Sequence, residues 1–98
     1  FDAGEVARRA TEIAASEETA NLTRISALQV ASRFGVSELD PVAQRLAEDT
    51  SASLPLRLSA IATLGQLNAA GSLPTLQTLA GTPGPVGKAA GAAMKKIR

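Results

Sequence analysis

The chain contains no histidine, cysteine, tryptophan or tyrosine. Without histidine the commonest general base and the commonest imidazole metal ligand are gone. Without cysteine there is no thiolate nucleophile, no thiolate metal site and no disulfide. Two phenylalanines are the only aromatic residues, which rules out an aromatic-lined groove and a platform for stacking bases. No apolar run approaches the roughly 20 residues that a membrane-spanning helix needs. Acidic residues stop at Asp49.

The remaining polar residues form no catalytic constellation. Serines and threonines are many, but none has a basic partner at a suggestive spacing. Glu17-Glu18 and Glu48-Asp49 are carboxylate pairs that read as solvated loop or helix-end charges, and neither fits a calcium-loop spacing. Gly81-Thr-Pro-Gly-Pro-Val-Gly-Lys88 has the glycines of a phosphate loop. It lacks the Gly-Lys-Ser/Thr ending after a strand, and its prolines remove N–H donors, so it reads as a connector. No catalytic residue, cofactor or metal is expected.

What the chain does have is leucine and alanine at helical spacing, centred on Leu54–Ala80. Leu58, Ile61, Leu64 and Leu67 recur every three residues, with Leu54 one turn earlier, and mark one stripe of a helix. Pro55 falls in the first turn, where its missing N–H costs nothing. Gly65 weakens the helix late, and Asn68 to Gly71 breaks it. Ser72 is the expected N-cap of a second helix, with Pro74 in its first turn and Leu73, Leu76 and Leu79 on one side.

This unit recurs. Arg24-Ile-Ser-Ala-Leu28 matches Arg57-Leu-Ser-Ala-Ile61 at an offset of 33, which also aligns Phe34 with Leu67, Pro41 with Pro74, Ala43 with Leu76 and Leu46 with Leu79. A later copy starts at Val86 with an offset of 30, aligning Leu56 with Val86, Ala60 with Ala90 and Leu64 with Met94. An earlier half-copy holds Val6-Ala-Arg-Arg9, similar to Val42-Ala-Gln-Arg45. Paired helices at such a period indicate an α-solenoid.

Leu56-Arg57-x-x-Ala60-x-x-x-Leu64-Gly65, followed by Leu73-Pro74-x-Leu76-x-x-Leu79, resembles the HEAT-repeat pattern, in particular the short bacterial type called PBS-lyase HEAT-like repeats. The resemblance implies an all-α, right-handed α-solenoid of antiparallel helix pairs, with about six short helices. The expected organisation of this single domain is a half repeat over 2–15, repeats over 21–49 and 54–81, and a terminal half repeat over 84–98. The third copy departs from the pattern by carrying Gly87, beside Lys88, where the others carry arginine. Opening without methionine where a second helix of a repeat is expected, the chain reads as a piece of a longer one.

Helix caps and inward faces follow from the same pattern. Asp2 and Asn21 are expected N-caps, and Ser37 or Asp40 that of the third helix. Val6, Ala10 and Ile13 face inward in the first helix, and Ile25, Leu28, Ala31 and Phe34 in the second. Leu39, Val42, Ala43 and Leu46 do so in the third, and Val86, Ala90, Ala93 or Met94, and Ile97 in the last. Gly87 and Gly91 each cost the last helix about 1 kcal/mol relative to alanine.

Two residue sets stand out as candidates. The resemblance implies that the recurring arginines, Arg24 and Arg57, pair with an acidic residue of a neighbouring repeat. Glu17 and Asp49 are the available partners in this structural ladder. It also implies that second helices line a concave face. Their outward positions, Glu5, Arg8, Arg9, Glu12, Glu38, Gln44, Arg45, Glu48, Thr75, Gln77 and Thr78, form the expected partner surface.

Charge is unevenly spread along the chain. Through Asp49 stand five cations and nine anions, a net of −4; beyond it stand five cations and no anion. Lys95, Lys96 and Arg98 complement the end of the last helix, and so few cations make no basic stripe. The expected function is a non-catalytic protein–protein interaction scaffold with a protein partner. The alternatives are an accessory domain of a larger, lyase-like enzyme and a weak nucleic-acid binder using the basic half.

Overall fold

A computed structural model describes residues 3–33, 35, 39–67 and 70–97, without the side chains of Ala3 and Ala7. Asp2, Phe34, Ser37, Glu38, Asn68 and Arg98, singled out above, lie outside the described residues. Six α-helices follow one another: α1 (Ala3–Ala15), α2 (Asn21–Arg33), α3 (Asp40–Glu48), α4 (Leu54–Gln66), α5 (Leu73–Ala80) and α6 (Pro85–Lys96). One turn of 3₁₀ helix, Ala70–Ser72, leads into α5. A proline occupies the first turn of α3, α4, α5 and α6. Its fixed φ suits that turn, and its missing N–H is one the helix leaves unpaired anyway.

Two starts differ from the expected caps. Asn21 is already helical, and its Nδ2 donates to Ser53 Oγ at 3.1 Å, in the connector before α4. Asp40 is likewise the first residue of α3 and not its cap. Its Oδ1 is buried without a hydrogen-bond partner, and burial raises its pKa above the ordinary value. Ser72 does precede α5, but in a helical conformation and with no capping bond from its side chain.

The helices lie in two rows. α2 packs on α4 and α4 on α6, while α1, α3 and α5 each pack on the helix that follows and touch one another more thinly. The Cα trace measures 40 × 30 × 15 Å, and the short dimension is what two helix layers occupy.

Burial patterns identify the central helix. At about 100° per residue, the buried residues of α2 (Arg24, Ala27, Leu28, Ala31) span an arc of roughly 100°. Those of α4 (Leu56, Ala60, Ile61, Thr63, Leu64, Gly65) span roughly 200° on the same 3.6-residue turn. α4 is therefore enclosed from both flanks and from below, by α2, α6 and α3. The expected α4 stripe is correct at Ile61 and Leu64, which are fully buried; Leu58 and Leu67 are only partly so. Leu56 is fully buried and Leu54 is 44% exposed, so the register at the helix start lies two residues along from the one expected.

Among the described residues, nine of the eighteen buried apolar side chains are alanine, which lets helix axes approach closely. Gly65 carries this furthest. It does not end α4; a Cβ built there would lie 3.0 Å from Ala93 Cα and 3.1 Å from its Cβ. Gly87 has a comparable role in α6, since a Cβ there would collide with the carbonyl oxygen of Thr82. The connector 81–84 thus rests on the first turn of α6 because that position lacks a side chain.

Two substitutions test this packing. Ile61→Ala is expected to cost about 2–5 kcal/mol through the cavity it opens, and an unchanged denaturation midpoint would contradict the assigned register. Gly87→Ala is expected to lower the thermal midpoint even though alanine is the better helix former by about 1 kcal/mol. A raised midpoint would show that the connector does not press on α6.

Candidate functional site

Arg24 and Arg57 occupy the fourth position of α2 and of α4. Arg24 is buried, and its Nε donates to the carbonyl of Ala14 at 2.9 Å. Arg57 is half-buried; its Nε and Nη2 donate to the carbonyl of Ala47 at 3.2 and 3.1 Å. Each acceptor lies ten residues back, in the last turn of the preceding helix. The last four carbonyls of a helix have no partner within it and carry its negative dipole end. An arginine from the next helix supplies both a donor and a positive charge.

The acceptors in these bonds are carbonyls, not the carboxylates of Glu17 or Asp49 expected from the sequence. Asp49 is engaged locally, where the Ser51 hydroxyl and the Ser51 amide both donate to its Oδ1. The Ser51 hydroxyl, with smaller help from the backbone and the charge of Arg57, holds the Asp49 carboxyl below its ordinary pKa. Glu17 is exposed in the connector after α1.

The second-helix residues gather in two places. Glu5, Arg8, Arg9 and Glu12 border a hollow of about 540 Å³ on α1, with Ile13 in its wall. Glu48, Thr75 and Thr78 come together in a groove of about 530 Å³ between α3 and α5. Thr75 Oγ1 donates to Glu48 Oε1 at 3.1 Å across this groove, and Thr78 Oγ1 donates to the carbonyl of Pro74 at 3.1 Å. Arg57, Thr50 and Thr82 complete its polar wall. Gln44 is half-buried and Arg45 exposed, and neither borders the two hollows.

Thr50, Thr82 and the flank of Arg57 were absent from the expected surface. Thr50 and Thr82 carry no sequence signal beyond their place in the connectors after α3 and α5, whereas Arg57 is marked by its recurrence at the repeat offset. The groove offers a guanidinium, a carboxylate and several hydroxyls beside Pro74 and Leu79. Such a mixture can hold a polar peptide segment. Among the described residues no group of three or more Asp or Glu side chains is placed to hold a metal ion, and no helix is long and apolar enough to cross a membrane. Compared with protein-family models, curated proteins and solved structures, the chain matches none.

The arginine ties make a separable prediction. Arg57→Met removes a charge-assisted bond to a helix-end carbonyl and is expected to cost about 1.5–3 kcal/mol. Asp49→Asn is expected to cost clearly less at neutral pH. Its effect is fully present above the ordinary aspartate value of 3.8 and fades as pH falls through the lowered one, because a depressed carboxylate stabilises the fold only when ionised. Urea denaturation at neutral and acidic pH reads both effects. Equal losses for the two variants at neutral pH would make the carboxylate the principal partner of Arg57.

Proposed function

We propose that the chain is a non-catalytic protein-interaction scaffold, built as a right-handed α-solenoid of HEAT-like helix pairs. It meets its protein partner through the face formed by α1, α3 and α5. The observation that carries this reading is the repetition of one structural tie at the repeat offset. Arg24 to Ala14 and Arg57 to Ala47 are the same bond displaced by 33 residues, as expected of stacked units of one design. The two-row packing fits the same architecture.

The face itself supports recognition more than chemistry. It displays Glu5, Arg8, Arg9 and Glu12 at one end, Arg45 and Glu48 in the middle, and Thr75 and Thr78 at the other, grading from charged to neutral. Rim charges of this kind set partner choice and association rate more than bulk affinity.

The test is affinity capture from a lysate of the source organism, using the intact domain beside a variant with Arg8→Glu, Arg9→Glu and Arg45→Glu. All three side chains are exposed, so the variant is expected to fold with an unchanged thermal midpoint. A protein retained by the intact bait and lost by the variant is the expected result. Equal retention by both baits would remove this face from the interaction.

A further inference from the structure

The charges separate by layer, a division that the linear sequence presents as a split between halves. The row of α2, α4 and α6 contains no aspartate or glutamate. Among the described residues the helical carboxylates, Glu5, Glu12, Asp40 and Glu48, all belong to α1 and α3. Of the cations in the acid-free row, Arg24 and Arg57 are tied to helix-end carbonyls. Arg33, Lys88, Lys95 and Lys96 are exposed.

A groove of about 330 Å³ crosses the outer side of this row, near the C-terminal ends of α2, α4 and α6. Arg33 and Lys96 stand in its wall together with Gln29, Gln66 and Ser59, and among the described residues no carboxylate lines it. Arg33 and Lys96 lie in the last turns of their own helices. The dipole ends there amount to roughly half a negative charge each, so each full positive charge leaves a surplus. The long side chains keep that charge at the surface.

We propose that this groove docks an acidic protein segment. Aspartate or glutamate side chains pair with Arg33 and Lys96 while the segment's main chain meets the Gln29 and Gln66 amides. Carboxylates match two cations that share a groove with neutral polar groups. A nucleic-acid backbone asks for a longer phosphate track and for aromatic stacking, and the chain holds only two aromatic residues, both phenylalanine. A bilayer surface asks for apolar side chains beside the cations, and among the described residues no large apolar side chain lines the groove. This surface belongs to the opposite layer from the α1–α3–α5 face, so the two readings fail independently.

The experiment is fluorescence anisotropy with fluorescein-labelled poly-glutamate, at low and high salt. It compares the intact chain with Arg33→Gln/Lys96→Gln, Arg33→Glu/Lys96→Glu and Lys88→Glu, an exposed α6 cation outside the groove. The expected result is saturable, salt-sensitive binding, weakened roughly tenfold or more by the glutamine pair. The Arg33/Lys96 reversal abolishes it, and Lys88→Glu leaves it unchanged. If the Arg33/Lys96 reversal unfolds, the neutral glutamine pair decides. Absence of saturable binding, equal loss in the Lys88 variant, indifference of a folded glutamine pair, or tighter binding to duplex DNA than to poly-glutamate would each overturn the proposal.

Discussion

Everything in this structure depends on how closely α4 can be approached. The helix is packed on by α2, α3 and α6, and at Gly65 there is no space for a methyl group without moving Ala93. Alanine supplies half of the buried apolar side chains among the described residues, and each buries little surface. The hydrophobic driving force therefore rests on the few large side chains that alanine lets into contact. Leu28, Leu39, Leu56, Ile61, Leu64 and Leu76 are fully buried, at about 1.5–3 kcal/mol apiece. Small residues set the distances, and the leucines and Ile61 fill what those distances leave.

Close packing of short helices leaves their ends as the weak points. Eight to thirteen residues give few internal hydrogen bonds relative to the orphan groups at each terminus. The arginine of the next helix deals with one such end in α1 and again in α3. The third copy solves the problem differently, and the missing side chain at Gly87 is the physical reason. The connector 81–84 is one residue shorter than 16–20 and 49–53. It lies against α6 over Gly87, with the Thr82 amide donating back to Leu79. Where the other copies reach back with an arginine side chain, this one brings the backbone itself into contact.

Much of the fold was legible because its signals are local. Prolines mark four helix starts, and the leucine spacing marks the helices themselves, so the boundaries fall within a residue or two of those expected. The errors have physical causes. Leu54 and Leu56 are equally apolar, and only the three-sided enclosure of α4 decides that Leu56 goes inward. A glycine in a helix reads as a weakness by propensity, whereas Gly65 and Gly87 are contact points with distant residues. The arginine period was visible, but a carbonyl acceptor leaves no trace in a side-chain sequence. The candidate surface was less legible. Glu48, Thr75 and Thr78 do share a groove, yet Thr50 and Thr82 enter it from the connectors and Arg57 from α4, on its tie to the Ala47 carbonyl. The layering of charge was hidden because alternate helices, not successive ones, share a face.

Two faces with different chemistry result, a mixed-charge row of α1, α3 and α5 and an acid-free row of α2, α4 and α6, joined through one central helix. Native-state hydrogen exchange resolved by residue tests most directly whether α4 is that centre. The amides of Ala60–Gly65 should exchange slowest, through global unfolding, with protection falling outward to α1 and α6, which open separately. If the amides of α4 exchanged as readily as those of the outer helices, the protein would have no such keystone, and close approach to α4 would not be what holds the fold together.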